Sequence, residues 1–387
     1  MKKSAATVII GGGVIGASIA YHLAMLGMRD IVIVDSGIAP GTGSTGKATG
    51  GFRAQFTTAI NIRLSLLARE KLLRFADETG VDPGYSQVGY LWLAATEPQL
   101  AALATARKIQ QSEGLHETRD VAPDEIHALN PAISIEGIVG AAFCHSDGYI
   151  RPLEILRGYL AAAERLGVNV MWSTGCRELR SDSNGRIATV ETSGGPIAAD
   201  TVVNAAGPWA RSIAAMAGVS LPVVPLKRQA AFTERCTAIS PRMPMTIFLD
   251  SGFHIRARDG RALLCWPDPV EPGEPADLLT DEAWIRRVER MARQLVPALR
   301  DVAIDRPACY AGLYEMSPDQ HAIVGRSPEC ANMYFANGSS GHGVMHAPAL
   351  GEIVADLITG GKPAIDVSIL RPSRFEEGAV IKSVELI

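Results

Sequence analysis

The chain has 387 residues, enough for two domains or one large domain carrying an insertion, and its 47% hydrophobic and 20% charged content excludes disorder. A formal net charge of −4, with acidic and basic residues spread along the sequence, gives neither a nucleic-acid footprint nor a basic membrane-binding face. Apolar runs are short and interrupted, so none predicts a transmembrane helix, and Cys144, Cys176, Cys236, Cys265, Cys309 and Cys330 have no paired spacing. That spacing indicates no metal site and no disulfide framework, and makes a reducing cytoplasm the expected compartment.

The first thirty-five residues carry the strongest pattern. Met1-Lys2-Lys3 before an apolar stretch resembles the start of a signal peptide, but that stretch is needed for a first strand and contains glycines. Val8-Ile9-Ile10 runs into Gly11-Gly12-Gly13-Val14-Ile15-Gly16, a helical pattern follows to Gly27, and Ile31-Val32-Ile33-Val34 closes on Asp35. This order of strand, glycine turn, helix, strand and acid predicts a dinucleotide site. Gly11 allows the tight turn, Gly13 lets a pyrophosphate approach the backbone, and Gly16 lets the helix pack close to the strand. The helix N-terminus offers unpaired N–H groups to the phosphates, and Asp35 is spaced to accept from a ribose 2′-OH.

Residues 37–51 are small and polar, including Gly41-Thr42-Gly43-Ser44-Thr45-Gly46 and ending in Thr49-Gly50-Gly51-Phe52-Arg53. They form either a flexible linker or a second phosphate-contacting loop whose N–H groups face the cofactor. An amphipathic helix is expected over 57–79, a strand over 89–93, a helix from Thr96 with Gln99 in the capping-box position, and a short helix over 123–129. Arg151-Pro152 opens a helix that stops at Gly167, a strand covers 168–172, and Asn184-Gly185 turns a hairpin. An apolar strand from Thr201 breaks at Asn204-Ala205-Ala206-Gly207-Pro208-Trp209. Residues 221–265 predict an antiparallel sheet separate from the parallel one, with turns at Ser251-Gly252 and Asp259-Gly260. Thr280 is expected to cap a helix over 281–296 that Pro297 ends. A strand over 333–336 leads through Asn337-Gly338-Ser339-Ser340-Gly341-His342-Gly343 into a helix expected to open at Pro348.

Together, the glycine fingerprint and residues 44–53, 204–209, 312–325 and 338–351 resemble the FAD-dependent amino-acid oxidoreductases of the D-amino-acid oxidase superfamily, within it the sarcosine oxidase and proline dehydrogenase β-subunit branch. The resemblance implies an α/β fold. A Rossmann-like FAD-binding domain of GR2 type would be built from 1–85, 146–220 and 308–387, and a substrate domain on a mixed or antiparallel sheet from 86–145 and 221–307. It also implies FAD contacts at Gly11, Gly13, Val14, Ile15, Gly16, Asp35, Ser44, Thr45, Thr49, Gly50, Gly51, Ala206, Gly207, Trp209, Gly312, Gly338, Gly341, His342, Gly343, Val344 and Met345. The flavin would be non-covalent, because Gly312 stands where sarcosine oxidase attaches it through cysteine.

Arg53 resembles the arginine that grips the substrate carboxylate, a task for which a rigid guanidinium fork is suited; the alternative is an ordinary surface arginine. The family's second carboxylate partner, a lysine, falls on Met345, so His346, Arg256 or a different substrate geometry must compensate. His254 and Arg256 are further expected substrate contacts. Tyr314 stands where the sarcosine oxidase branch carries tyrosine and favours N-substituted amino acids, unless it is a buried structural tyrosine. His342 either stabilises charge on the reduced flavin or is structural. Residues 262–265 lack the lysine that sarcosine oxidase uses for oxygen activation.

The implied activity is oxidation of a secondary amino acid such as sarcosine, iminodiacetate or a proline derivative, by hydride transfer to flavin N5 and imine hydrolysis, with Arg53, Tyr314 and His342 as the catalytic set. The 338–343 loop and the following helix would stabilise negative charge near flavin N1 and O2. O₂ or a carrier would accept the electrons. Two alternatives stay open: a 2-hydroxy-acid or glycerol-phosphate oxidoreductase, and a flavin subunit active only in a hetero-oligomeric dehydrogenase. A homo- or hetero-oligomer fits each.

Overall fold

The computed structural model describes residues 3–274 and 277–382. Met1, Lys2 and the last five positions of the expected 308–387 segment lie outside the described residues. Two large sheets organise the chain. In the first, β1 (Ser4–Ile10) lies between β2 (Ile31–Val34) and β11 (Gly195–Asn204), parallel to both. Its Val8, Ile9 and Ile10 are buried, as a run of apolar residues covered on both faces demands. β8 (Asn169–Met171) extends the sheet beyond β2, β18 (Met333–Asn337) and β17 (Ile323–Arg326) extend it beyond β11, and the hairpin of β9 (Cys176–Ser181) and β10 (Ile187–Thr192) hangs on β11.

Four helices bury one face of this sheet. α1 (Val14–Met25) is buried from Val14 through Ala24 and packs on α8 (Gly343–Thr359) and α5 (Pro152–Arg165), while α2 (Ala59–Thr79) packs on α8 and α5. α6 (Ala210–Met216) contributes Ala210, Ile213 and Ala214 to the core on the opposite face.

The second sheet runs β16-β12-β15-β14-β13-β4-β6-β5. Its strands are β4 (Tyr90–Ala94), β5 (Thr118–Val121), β6 (Gly140–Cys144), β12 (Val224–Phe232), β13 (Met245–Phe248), β14 (His254–Arg258), β15 (Arg261–Cys265) and β16 (Tyr310–Met316). Every pairing is antiparallel except β13 with β4, where the two lengths of chain forming this sheet meet. Leu91 and Leu93 of β4 enter the core shared with Trp284, Ile285 and Val288 of α7 (Glu282–Leu295). Tyr90 and Trp92 alternate to the other face, toward the first sheet's loops. α3 (Glu97–Ser112) and α4 (Pro123–Leu129) cover the β6 end, and the two-residue strands β3 (Gly51–Phe52) and β7 (Gly148–Tyr149) pair between the large sheets.

Several elements differ from expectation. α7 is capped by Asp281, whose carboxylate accepts from the Ala283 N–H at 2.7 Å, not by Thr280; aspartate is the stronger capping residue. α8 begins at Gly343, five residues before Pro348, which lies inside the helix. Its N–H groups therefore emerge directly from the glycine loop. β16 pairs along its whole length with β12, so the second sheet continues past position 308. Residues 37–50 form no linker: a 3₁₀ turn (Ser44–Lys47) folds them back, and the Thr45 hydroxyl accepts from the Val14 N–H at 3.1 Å. α3 follows expectation, with Thr96 accepting from the Gln99 N–H and the Gln99 amide oxygen accepting from the Ala95 N–H at 2.8 Å.

Candidate active site

The glycine turn shows why no larger residue fits. Gly11 has φ +112°, and a Cβ there would lie 2.3 Å from the Ala205 carbonyl oxygen; one on Gly16 would lie 2.0 Å from the Gly11 carbonyl oxygen. The first glycine lets the turn cross the strand ends, and the last lets α1 sit against the turn. Asp35 holds the arrangement, with Oδ2 accepting from the Gly12 N–H and Oδ1 from the Gly37 N–H, each at 2.6 Å. Each oxygen keeps a further lone pair for a ribose hydroxyl.

From this turn a cleft of about 880 Å³ runs between the two sheets, near the upper end of the range for ligand clefts. One wall carries Gly11, Gly13, Val14, Ile15, Asp35, Ser44, Thr45, Thr49, Gly50 and Gly51; the others carry Ala206, Gly207, Trp209, Gly312, Gly341, Gly343, Val344 and Met345. At Gly43 and Gly207 an added Cβ would meet nothing within 4 Å, so bare backbone faces open space. Both α1 and α8 direct an N-terminus to the cleft wall.

Arg53, Tyr314, His254 and His342 meet where the second sheet forms the wall. The Arg53 guanidinium donates from Nη1 to the Gln55 carbonyl at 2.8 Å and approaches His342 Nε2 with Nη2 at 3.3 Å. It lies 4.1 Å from the Phe56 ring centroid and 5.0 Å from that of Trp92. Among the described residues two of its five N–H groups are thus used, and three remain for a ligand. Burial draws its pKa down, while Tyr90, Asp147 and Tyr314 act the other way; a guanidinium stays charged regardless. Asp147 is fully buried, accepts from the Ala54 N–H at 2.7 Å and the Gln55 amide at 3.1 Å, and is pushed up to about 6 by burial against those bonds and Arg53. It remains a carboxylate at neutral pH and balances the arginine.

Burial, Arg53, His346 and His321 all hold His342 well below its usual pKa, so it is a neutral acceptor for Arg53. Arg256 and Gly338 stand off the cleft wall. Arg256 donates from Nη1 to the Thr49 and Gly50 carbonyls at 2.8 and 2.6 Å and stacks 3.7 Å from the Tyr149 centroid, which ties β14 to the loop carrying Gly50. Gly338 turns the chain at φ +70° against Ile323 and Ser317. His346 is also behind the wall, hydrogen-bonded to the Ser65 hydroxyl at 2.9 Å. Met345 lines the cleft, and neither Arg256 nor His346 does.

Sequence reasoning missed Tyr90, Trp92 and Trp172, which line the cleft, and Glu315, whose carboxyl burial pushes up to about 7 against the Ser339 and Gly338 N–H groups. Trp92 and Tyr90 were visible only as an alternating strand. Among the described residues no cluster of His, Cys, Asp and Glu is arranged to hold a metal, and no helix is long and apolar enough to cross a membrane.

The family described as FAD dependent oxidoreductase matches residues 6–357, and the chain belongs to it. Mitochondrial dimethylglycine dehydrogenase of Rattus norvegicus is 31% identical over 398 residues, covering 97% of this chain and 45% of its own length. The chain thus spans about half the length of that relative. Glycine oxidase of Geobacillus kaustophilus is 28% identical over 93% of this chain and 94% of its own. The crystal structure of L-proline dehydrogenase from P. horikoshii superposes with a TM-score of 0.91 at 30% identity, covering 98% of this chain and 99% of that one.

The cleft fits FAD. Glycines whose Cβ would collide with backbone shape its phosphate end, Asp35 offers carboxylate lone pairs, and two helix N-termini face an elongated space.

Proposed function

We propose that the protein oxidises the C–N bond of a secondary amino acid, such as sarcosine, iminodiacetate or a proline derivative, with non-covalently held FAD. The observation that carries this is Arg53: a half-buried cation on the cleft wall beside Phe56, with three N–H groups that have no partner among the described residues. A guanidinium that keeps unused donors on a cleft wall calls for an anion, and its fork matches a carboxylate. The names of the relatives support the class, since dimethylglycine, glycine and proline all join a carboxylate to an amine.

Bound FAD supplies the acceptor for a hydride equivalent at N5. Arg53 fixes the substrate carboxylate and so sets the direction of the substrate C–H bond, which is catalysis by orientation. His342 accepts from the guanidinium and keeps it aimed. Tyr314 packs against Gly341, and burial raises its pKa, so its phenol stays protonated and able to donate to the carboxylate. Met345 offers an apolar wall where a second cation would otherwise stand, leaving Arg53 as the main anion anchor.

Anaerobic mixing with a panel of secondary amino acids, primary amino acids and 2-hydroxy acids tests this. Bleaching of the flavin by secondary amino acids is expected, and bleaching by hydroxy acids alone would overturn it. Admitting air or an artificial acceptor afterwards assigns the electron acceptor.

A further inference from the structure

We propose that His254 is the base that takes the proton from the substrate ammonium, through Nε2, before the C–H bond is broken; this rests on the amino-acid reading above. His254 opens β14 and lines the cleft with Arg53. Its Nδ1 lies 2.9 Å from the Gly252 carbonyl oxygen, and a carbonyl only accepts, so Nδ1 carries the hydrogen. In the neutral ring the lone pair is then on Nε2. Among the described residues Nε2 has no hydrogen-bond partner, and the half-buried ring lines the cleft.

The surroundings keep the ring neutral and ready. Directly across the sheet stand Ile247 of β13 and Cys265 of β15, the latter a thiol that burial pushes up to about 12. The turn supplies the Gly252 carbonyl. Arg256, two residues on along β14, has its Nε and Nη1 donors engaged by backbone carbonyls. Across the cleft the charged group is Arg53, with the protonated phenols of Tyr90 and Tyr314 beside it. Burial first, and Arg53 second, lower the His254 pKa against the pull of the Gly252 bond. When a substrate carboxylate pairs with Arg53, that positive field is neutralised. The ring becomes more basic as the ammonium arrives.

The step balances. An amino acid enters as a zwitterion whose ammonium nitrogen has no lone pair to push out a hydride. Its N–H bond breaks, a Nε2–H bond forms, and the substrate becomes a neutral amine while His254 becomes an imidazolium that later releases its proton to solvent. The electron pair of the C–H bond then leaves as the hydride the family chemistry consumes.

The test uses the FAD-loaded protein and anaerobic stopped-flow measurement of the limiting bleaching rate against pH. In the wild type the rate should reach a plateau by neutral pH. His254→Asn retains an amide N–H for the Gly252 carbonyl but has no basic nitrogen. Its limiting rate at pH 7 should fall by about 10²–10⁴-fold and recover only toward pH ~10, where an aliphatic amine loses its own proton. FAD content and the affinity for a thioether carboxylate, which has no nitrogen, should stay within about twofold, separating loss of the base from loss of the fold. Equal rates and parallel pH profiles for the two proteins would overturn the assignment, as would a wild-type rate that rises toward pH ~10 without a neutral plateau. Bleaching of the wild type by no amino acid would instead remove the functional reading, and this proposal with it.

Discussion

Arg53 was legible as a residue because its spacing after Thr49 resembles a family pattern, yet its environment was not. Phe56, Trp92, Gln55 and His342 come from three separated lengths of chain, and no local pattern says that they surround one guanidinium. Arg256 shows the converse. Its type and strand position suit a substrate contact, but two carbonyls of the 49–50 loop take its Nη1 donors and it stands off the cleft wall. Replacing Arg53 with alanine should leave FAD content unchanged and lower kcat/KM for the amino acid by about 10²–10³-fold, the scale of truncating one member of a buried charged pair. Lysine should recover little, because it lacks the planar fork. An unchanged kcat/KM in either variant, measured under steady-state turnover, would remove Arg53 from the site.

The elements most fully read in advance are β1, α1 and β2, where a glycine turn between apolar runs leaves few alternatives. α8 was misread at its start because Pro348 imitates a first-turn proline; tertiary packing on α1 and α2 carries the helix through it. That packing is close. A Cβ on Gly351 would fall 2.0 Å from Ser18 Oγ and 2.7 Å from the Ser18 backbone, so α1 and α8 touch nearly backbone to backbone. Gly351→Ala should therefore cost about 1–3 kcal/mol through overpacking, seen as a Tm several degrees lower, and should loosen FAD because both helices present their N-termini to it. An unchanged Tm would show that the helices can separate at no cost.

For the molecule as a whole, two sheets with a cleft between them follow from the break between a continuous apolar pattern and an alternating one. The register that sends β16 back to the second sheet did not, since strand partners far apart in sequence leave no local mark. The buried histidines give the assembled protein an acid sensitivity. Burial lowers His22 to about 4 and His346 to about 3, and lowers His254, His321 and His342 as well. The unfolded chain therefore binds more protons below pH ~6.5, and stability falls with acidification by up to ~1.4 kcal/mol per pH unit per histidine. Asp147 and Glu315, raised to about 6 and about 7, act in the opposite sense because the folded state holds their protons longer. Asp268 and Asp356 are raised by burial too, though both are only partly buried. Five histidines thus oppose four carboxyls, and Tm should drop between pH 6.5 and 4, while a Tm that is flat or rising over that window would contradict these neutral rings.

The account depends on a flavin and an anion-gripping guanidinium sharing one cleft. The direct measurement is anaerobic reduction of the FAD-loaded chain by a secondary amino acid, compared with the same amine lacking its carboxylate. The predicted result is one flavin bleached per chain by the amino acid, with the bare amine slower by at least about 10²-fold. A chain that holds no FAD, or one that reduces equally fast with both compounds, would contradict it.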